Sequence, residues 1–238
     1  MKPKIIKKFI WGNFEKRLGD IRAFFPDTYA RKSYSQEGED MILRRIFERQ
    51  KCGFYVDVGA HHPMRFSNTH YFYRKGWRGI NIDATPGSMI LFNRHRPRDI
   101  NLEMAISNQN TTADYYLFNE PALNTFDEKL AREWEKIDIY NIVEVKPIKT
   151  HTLKEIFHQY LPLNSTIDFL NIDVEGMDRQ ILESMDWENF IPTVILCEAL
   201  SSALDNLQKD KTYQFLKAKG YFLMAKTFNT YIFKKSEE

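Results

Sequence analysis

Residues 54–63 read FYVDVGAHHP. An apolar run carries one acid, Asp57, stops at Gly59, and passes into two histidines and a proline. Phe, Tyr and Val suit a short buried strand, and the glycine marks its exit. Asp83 follows Gly59 by 24 residues, at the end of a second such run, WRGINIDA (77–84). The segment between them, SNTHYFYRKG (67–76), has helical character and is stopped by Gly76. Strand, helix and strand in this order predict parallel pairing.

The alternation continues in both directions. MILRRIFERQ (41–50) reads as a helix before the first strand. PGSMILFNRHR (86–96) reads as a helix starting at Pro86. INLEMAIS (100–107) reads as a third strand, and TADYYLF (112–118) and VEVKPIKT (143–150) as added strands around a polar segment with a short helix. HTLKEIFHQY, MDRQILESM and DKTYQFLKAKG are helical; IDFLNIDVEG and TVILCEA are strands; YFLMAK and TYIFKK close the chain as a hairpin. The prediction is an α/β fold with a mostly parallel sheet and an antiparallel C-terminal edge.

Residues 1–32 differ from the rest. They hold nine Lys or Arg and three acids, with Ile6, Ile10, Phe14, Leu18, Ile21 and Phe25 at helical spacing. That predicts a basic amphipathic helix, set apart from a domain over 33–238. It has two uses open: a lid packed on the domain, or peripheral contact with an anionic membrane surface or a partner.

Composition narrows the class. The 238 residues fit one domain with additions, and 43% hydrophobic content supplies a core. Lys plus Arg is 34 against 32 acids, a net charge of +2, which does not mark a nucleic-acid binder. Cys52 and Cys197 are too few for a disulfide framework or a zinc site. Without a cleavable leader pattern or an apolar run of membrane length, a cytoplasmic location is expected.

In an open α/β sheet, ligands bind beyond the carboxyl ends of the strands. Asp57, Gly59, Asp83, Asp173, Glu175 and Glu198 all fall at such ends. A glycine lets a ligand lie against bare backbone, and the helix after it offers N–H groups. Ser67 and Asn68 stand where they cap that helix or donate to a carboxylate. An acid at the spacing of Asp83 accepts hydrogen bonds from ribose hydroxyls. The turn has one glycine of the three that a pyrophosphate fingerprint needs, so the expected ligand is a nucleoside without pyrophosphate, S-adenosylmethionine.

His61 and His62 have three uses open: metal ligand, base or pocket wall. Neighbouring side chains diverge, so the two do not share one atom. Asp173 and Glu175 share a face if the strand persists, where they deprotonate a hydroxyl or hold Mg²⁺ or Mn²⁺, with Glu198 as a third oxygen ligand. Phe66, Tyr71, Tyr73 and Trp77 fit core packing better than sugar stacking.

SYSQEGEDMIL (33–43), GFYVDVGAHHPMRFSNT (53–69), GWRGINIDATPGSM (76–89) and FLNIDVEGMDRQIL (169–182) together closely resemble the FkbM-type methyltransferase family. The resemblance implies a class I methyltransferase fold, Rossmann-like, with a seven-stranded sheet and S-adenosylmethionine as donor. It implies O-methylation of sugars, glycans or natural products. It places Asp57 and Gly59 in the donor-binding turn and Asp83 on the ribose, with Gln36 and Glu37 closing the pocket and Ala105 by the adenine. Ala60, His61 and Ala84 complete the expected cofactor set. The segment 110–150 is outside the matching blocks and is a candidate for substrate specificity.

The leading reading is therefore an O-methyltransferase acting on a small-molecule or glycan acceptor. Two rivals stay open: a metal-dependent glycosyltransferase, and a non-catalytic module that binds glycans or a partner. A homo-oligomer is open as well.

Overall fold

The computed structural model describes residues 29–163, 165–199 and 204–236. The chain divides into two units, Met1–Ser33 and Tyr34–Glu238. The basic helix expected over residues 1–32 lies almost wholly outside the described residues. Among the described residues, no helix is long and apolar enough to cross a membrane.

In chain order the second unit runs α1 (Glu39–Ile46), β1 (Phe54–Val58), α2 (His70–Arg74), β2 (Arg78–Asp83), α3 (Ser88–His95) and β3 (Ile100–Glu103). It continues with β4 (Ala105–Ile106), β5 (Thr112–Phe118), α4 (Glu128–Trp134), β6 (Ile142–His151) and α5 (Leu153–Tyr160). Then follow β7 (Phe169–Ile172), α6 (Asp178–Glu183), β8 (Val194–Glu198), α7 (Lys211–Ala218), β9 (Tyr221–Lys226) and β10 (Thr230–Lys235). The main sheet has seven strands in the order β3-β2-β1-β7-β8-β10-β9. All neighbours are parallel except β10, which runs against both β8 and β9. The predicted hairpin thus brings one reversed strand, seated one place in from the edge. The chain winds outward from β1 to β3 and then crosses to β7 on the other side of β1. That reversal of strand order opens a crevice at the carboxyl ends of β1 and β7.

Alternation along the strands sends side chains to two layers. Val56, Val58, Ile80, Ile82, Leu170 and Ile172 pack on one face with Leu153, Ile156 and Phe157 of α5 and Ile181 and Leu182 of α6. Tyr55, Phe169, Val194, Leu196 and Ile232 pack on the other with Leu43 of α1, Phe72 of α2 and Trp77. Tyr73 and Trp77 are core residues, as expected.

One row breaks this apolar pattern. Asn101 pairs with Asn81, Asn81 with Asp57, and Asp57 with Asn171 across four adjacent strands. Asn81, Asp57 and Asn171 are all buried. Buried polar groups need partners, and the row supplies them sideways: Asn171 Nδ2 donates to Asp57 Oδ1 at 2.9 Å and Asn81 Nδ2 to Asn101 Oδ1 at 2.8 Å.

Three local expectations change. INLEMAIS is two strands: β3 belongs to the main sheet, whereas β4 pairs with β6 in a separate sheet of order β4-β6-β5. Met104 is the joint, its N–H donating to Asp83 O at 3.0 Å. The helix at Pro86 opens instead at Gly87, whose φ of 82° provides the left-handed N-cap. Asp173 and Glu175 lie beyond the end of β7, in a turn where Glu175 has φ 50° and Gly176 φ 90°.

Candidate active site

The exit of β1 is held against both neighbouring strands. The N–H groups of Gly59 and Ala60 donate to Ile82 O on β2, at 2.9 and 3.0 Å. On the other side, a Cβ at Gly59 would stand 1.7 Å from Asp173 O, and the residue has φ 78°. The glycine therefore admits the backbone of the turn after β7, where ligand approach was expected to be the reason. The expected helix N-terminus is also absent from this point: α2 starts only at His70 and is five residues long.

Asp83 ends β2 facing the crevice. Its Oδ2 accepts from His61 N and its Oδ1 from Thr85 N, each at 2.8 Å. Each carboxylate oxygen accepts more than one hydrogen bond, so capacity for a ligand hydroxyl remains. Thr85 Oγ1 lies 3.2 Å from the Tyr115 hydroxyl, and the Tyr115 ring lies 4.4 Å from that of Phe126, tilted by 31°. Burial pushes the Tyr115 hydroxyl up, so it remains protonated.

These groups line a cleft open to solvent. Gln36, Asp57, Gly59, Ala60, His61, Asp83 and Ala84 all line it, as do Asp173 and Glu175. Met104, Ile106, Tyr115 and Phe126 give it an apolar side. Four expected cofactor residues are elsewhere. Ala105 is fully buried and leaves the lining to Met104 and Ile106 on either side, as alternation on a strand requires. Ser67 is buried, its Oγ accepting from His70 N at the start of α2 at 3.1 Å. Asn68 and Glu37 line a second cleft that adjoins the first through Gln36, Phe66, Asp173 and Glu175. Phe66, expected in the core, is exposed and stands between the two clefts, its ring parallel to that of His61 at 6.5 Å.

The histidines divide as their divergence predicted. His62 Nδ1 accepts from Met64 N and Arg65 N, at 3.1 and 2.9 Å, and shapes the loop. His61 lines the cleft, its Nε2 buried and without a partner. Burial lowers its pKa, so the ring is neutral near pH 7.

Arg96, which the sequence leaves looking like one more basic residue in NRHR, is fully buried. Its Nε and Nη2 donate to Pro63 O at 2.9 and 2.5 Å, Nη2 to Ser67 Oγ at 2.7 Å, and Nη1 to Thr69 Oγ1 at 2.6 Å. Thr69 in turn donates to Asp57 Oδ2 at 2.7 Å. Burial pushes Asp57 up; Thr69, Arg96 and Asn171 pull it back. Arg96 thus pins the loop between β1 and α2 and compensates the acid beneath it.

At the lip shared by the clefts, Asp173, Glu175 and Glu198 each place a carboxylate oxygen within 4.8 Å of the others. They meet although the strand does not persist, because the left-handed pair Glu175 and Gly176 folds the chain back. Asp178, at the start of α6, ties this turn to β8 by accepting from Glu198 N at 2.7 Å. Desolvation, then neighbouring charge, pushes all three up: Asp173 well above its usual range beside Glu175, Glu175 to about 7 beside Asp178, and Glu198 to about 10 beside Asp173 and Glu175. Asp173 remains open to solvent, and for it the crowding of like charge is the firmer part of the cause.

Residues 57–223 match the Methyltransferase FkbM domain family, and the chain belongs to that family. Its fold and family make it an S-adenosylmethionine-dependent methyltransferase. Two solved structures are similar. One is a proposed RNA methyltransferase from Pyrococcus horikoshii, at 11% identity and TM-score 0.42, with 84% of each chain covered. The other is a TehB-like SAM-dependent methyltransferase from Corynebacterium glutamicum, at 11% identity and TM-score 0.38, with 94% of this chain and 97% of that one covered. A comparison with proteins of curated function finds no match.

The first cleft fits the donor. It pairs an acid at the end of β2 with an apolar side and a neutral imidazole whose Nε2 is unpartnered. Among its described lining residues Gly59 is the one glycine, against the three of a pyrophosphate site.

Proposed function

We propose that this protein transfers a methyl group from S-adenosylmethionine to a hydroxyl of a sugar, a glycan or a related natural product. The supporting observation is the group of three carboxylates at the lip where the clefts meet. Bound S-adenosylmethionine supplies a methyl on a sulfonium, already activated for displacement. A hydroxyl oxygen forms the new bond to carbon, the carbon–sulfur bond breaks, and the hydroxyl proton must leave. Glu175, with a pKa of about 7, is matched to accept that proton near neutral pH. Glu198, held protonated, limits the charge of the cluster. Asp83, His61 and the apolar side orient the donor.

The same three oxygens favour a second reading, in which they hold Mg²⁺ or Mn²⁺ and the cation lowers the pKa of the hydroxyl. Incubating the protein with labelled S-adenosylmethionine and a glycan extract, then locating the added methyl by mass spectrometry, tests the proposal. Methyl on oxygen supports it; methyl on nitrogen or carbon alone overturns it. Activity that survives chelation selects the carboxylate base over the cation.

A further inference from the structure

The second cleft has a polarity fixed by the network beneath it. Arg96 has only donors, so the Thr69 hydroxyl accepts from it and turns its own proton to Asp57. Asp57 accepts at both oxygens and thereby orients the amide of Asn171, whose Nδ2 it receives. Asn171 Oδ1 then faces Asn68 Nδ2 at 2.9 Å. The last atom of the chain, Asn68 Oδ1, is buried and without a partner, on a side chain only 8% exposed in the lining of the cleft. A buried carbonyl oxygen in this state is costly. A donating group satisfies it, and a ligand that brings one displaces any water there.

The rest of the lining asks for the same kind of ligand. Glu37, Glu39, Asp173, Glu175 and Glu198 line this cleft, and no lysine or arginine does among the described residues. Glu198 Oε2 is also buried without a partner. Arg65 lies over the Phe66 ring at 4.4 Å, outside the lining, and faces Glu120 at 3.8 Å. Trp134 lines the cleft with a buried, unpartnered indole N–H, the donor for a ligand oxygen. Phe66 adds a ring. The protein as a whole carries a net charge of +2, so this acidity is local.

We propose that the second cleft is the acceptor subsite and that it takes a hydroxyl-rich ligand bearing a protonated amine, of the amino-sugar class. This rests on the methyltransferase reading of the adjoining cleft. Hydroxyls and an ammonium donate to Asn68 Oδ1 and to the carboxylates, while a ring oxygen receives the Trp134 N–H. Carboxylate, sulfate or phosphate groups on an acceptor find no cation among the described lining residues and stay unpaired.

Calorimetry on the full chain saturated with S-adenosylhomocysteine, at low salt with a chelator present, tests this with three oligosaccharides of equal length. They are a chitosan trimer carrying free amines, a chitin trimer carrying N-acetyl groups, and trigalacturonate. The chitosan trimer is expected to bind at least about tenfold more tightly than the chitin trimer, a difference of about 1.4 kcal/mol, and trigalacturonate not at all. Asn68→Leu and Glu37→Gln are each expected to weaken the chitosan trimer about tenfold. The net positive protein does not attract that ligand non-specifically. Trigalacturonate binding as tightly as the chitosan trimer, or chitosan binding untouched by both variants, overturns the inference. Absence of S-adenosylhomocysteine binding overturns the underlying methyltransferase reading instead, so the two failures are distinct.

Discussion

The carbonyl oxygen of Asp173 lies where a side chain on residue 59 would begin. A Cβ built on Gly59 stands 1.7 Å from it, and φ at Gly59 is 78°. Both facts forbid any other residue, and both act at the point where the donor cleft meets the carboxylate cluster. Gly59→Ala is expected to cost about 3 kcal/mol or more in urea denaturation, because strain and overpacking add. Gly76→Ala is the comparison: φ is 94° there, but nothing lies within 4 Å. It should cost only about 1 kcal/mol. Equal losses at the two sites would remove the backbone crossing as the reason for Gly59.

Asp83 gives a prediction that separates binding from folding. Its two oxygens take the N–H groups of His61 and Thr85 and still face the cleft. Asn in its place keeps one acceptor and introduces a donor, so one of the two N–H groups loses its partner and a ligand hydroxyl meets a misplaced amide. Titration of Asp83→Asn with S-adenosylhomocysteine should show affinity at least about tenfold lower, roughly 1.4 kcal/mol. Undiminished affinity would take Asp83 out of the cofactor site.

Arg96 is tested by contrast between two replacements. Removing a buried guanidinium that spans Pro63, Ser67 and Thr69 leaves Asp57 buried without its compensating charge. Arg96→Met is expected to lose about 3–5 kcal/mol by chemical denaturation. Arg96→Lys keeps the charge but not the planar fork and should recover only part of it. Full recovery with Lys would show that charge alone holds the loop.

Much of this was legible in the sequence, for reasons that differ by residue. Asp83 could be placed because a parallel neighbour of β1 must end beside it, and spacing alone gives that. At Gly59 the sequence suggests room for a ligand against bare backbone; the neighbour that a Cβ would meet, Asp173, is over a hundred residues away, and no local pattern shows it. Asp173 and Glu175 were expected together on a strand; they come together through a left-handed turn that only Gly176 hints at. Arg96 was not seen because a helix-end arginine is ordinarily solvated, and its burial depends on a loop some thirty residues earlier. One signal was there to be used. NID occurs at the ends of both β2 and β7, and an asparagine inside an otherwise apolar strand asks for a partner across the sheet. Asn81 and Asn171 flank Asp57 in register. Asp178 and Glu39 offered no comparable signal.

Glu198 links the cluster to stability. Its folded-state pKa is about 10 against an ordinary 4.5, chiefly through burial and then the charges of Asp173 and Glu175. The folded state therefore holds a proton that the unfolded chain releases, and stability falls as pH rises from about 4.5 toward about 10. Glu198→Gln removes that titration while keeping shape. The variant should melt close to the parent at pH 5 and progressively above it up to pH 9. A gap that is constant across the range would show that Glu198 does not titrate as described. Added Mg²⁺ that raises the parent's melting temperature and not the variant's would instead favour a cation held by the carboxylates.

Glu175 sets the expected pH dependence of turnover. It must be ionised to accept the hydroxyl proton, and its pKa is raised to about 7 by burial and then by Asp178. The rate under saturating donor should climb about tenfold per pH unit below 7 and level off above it. Glu175→Gln should abolish the slope along with most of the activity, by about two to four orders of magnitude. Asp178→Asn separates direct from indirect effects. It removes the neighbouring charge, so the midpoint should move to lower pH while the plateau is retained to the extent that the bond from Glu198 N still forms. A midpoint unmoved by Asp178→Asn, or a slope that survives Glu175→Gln, would assign the titrating base to another group of the cluster.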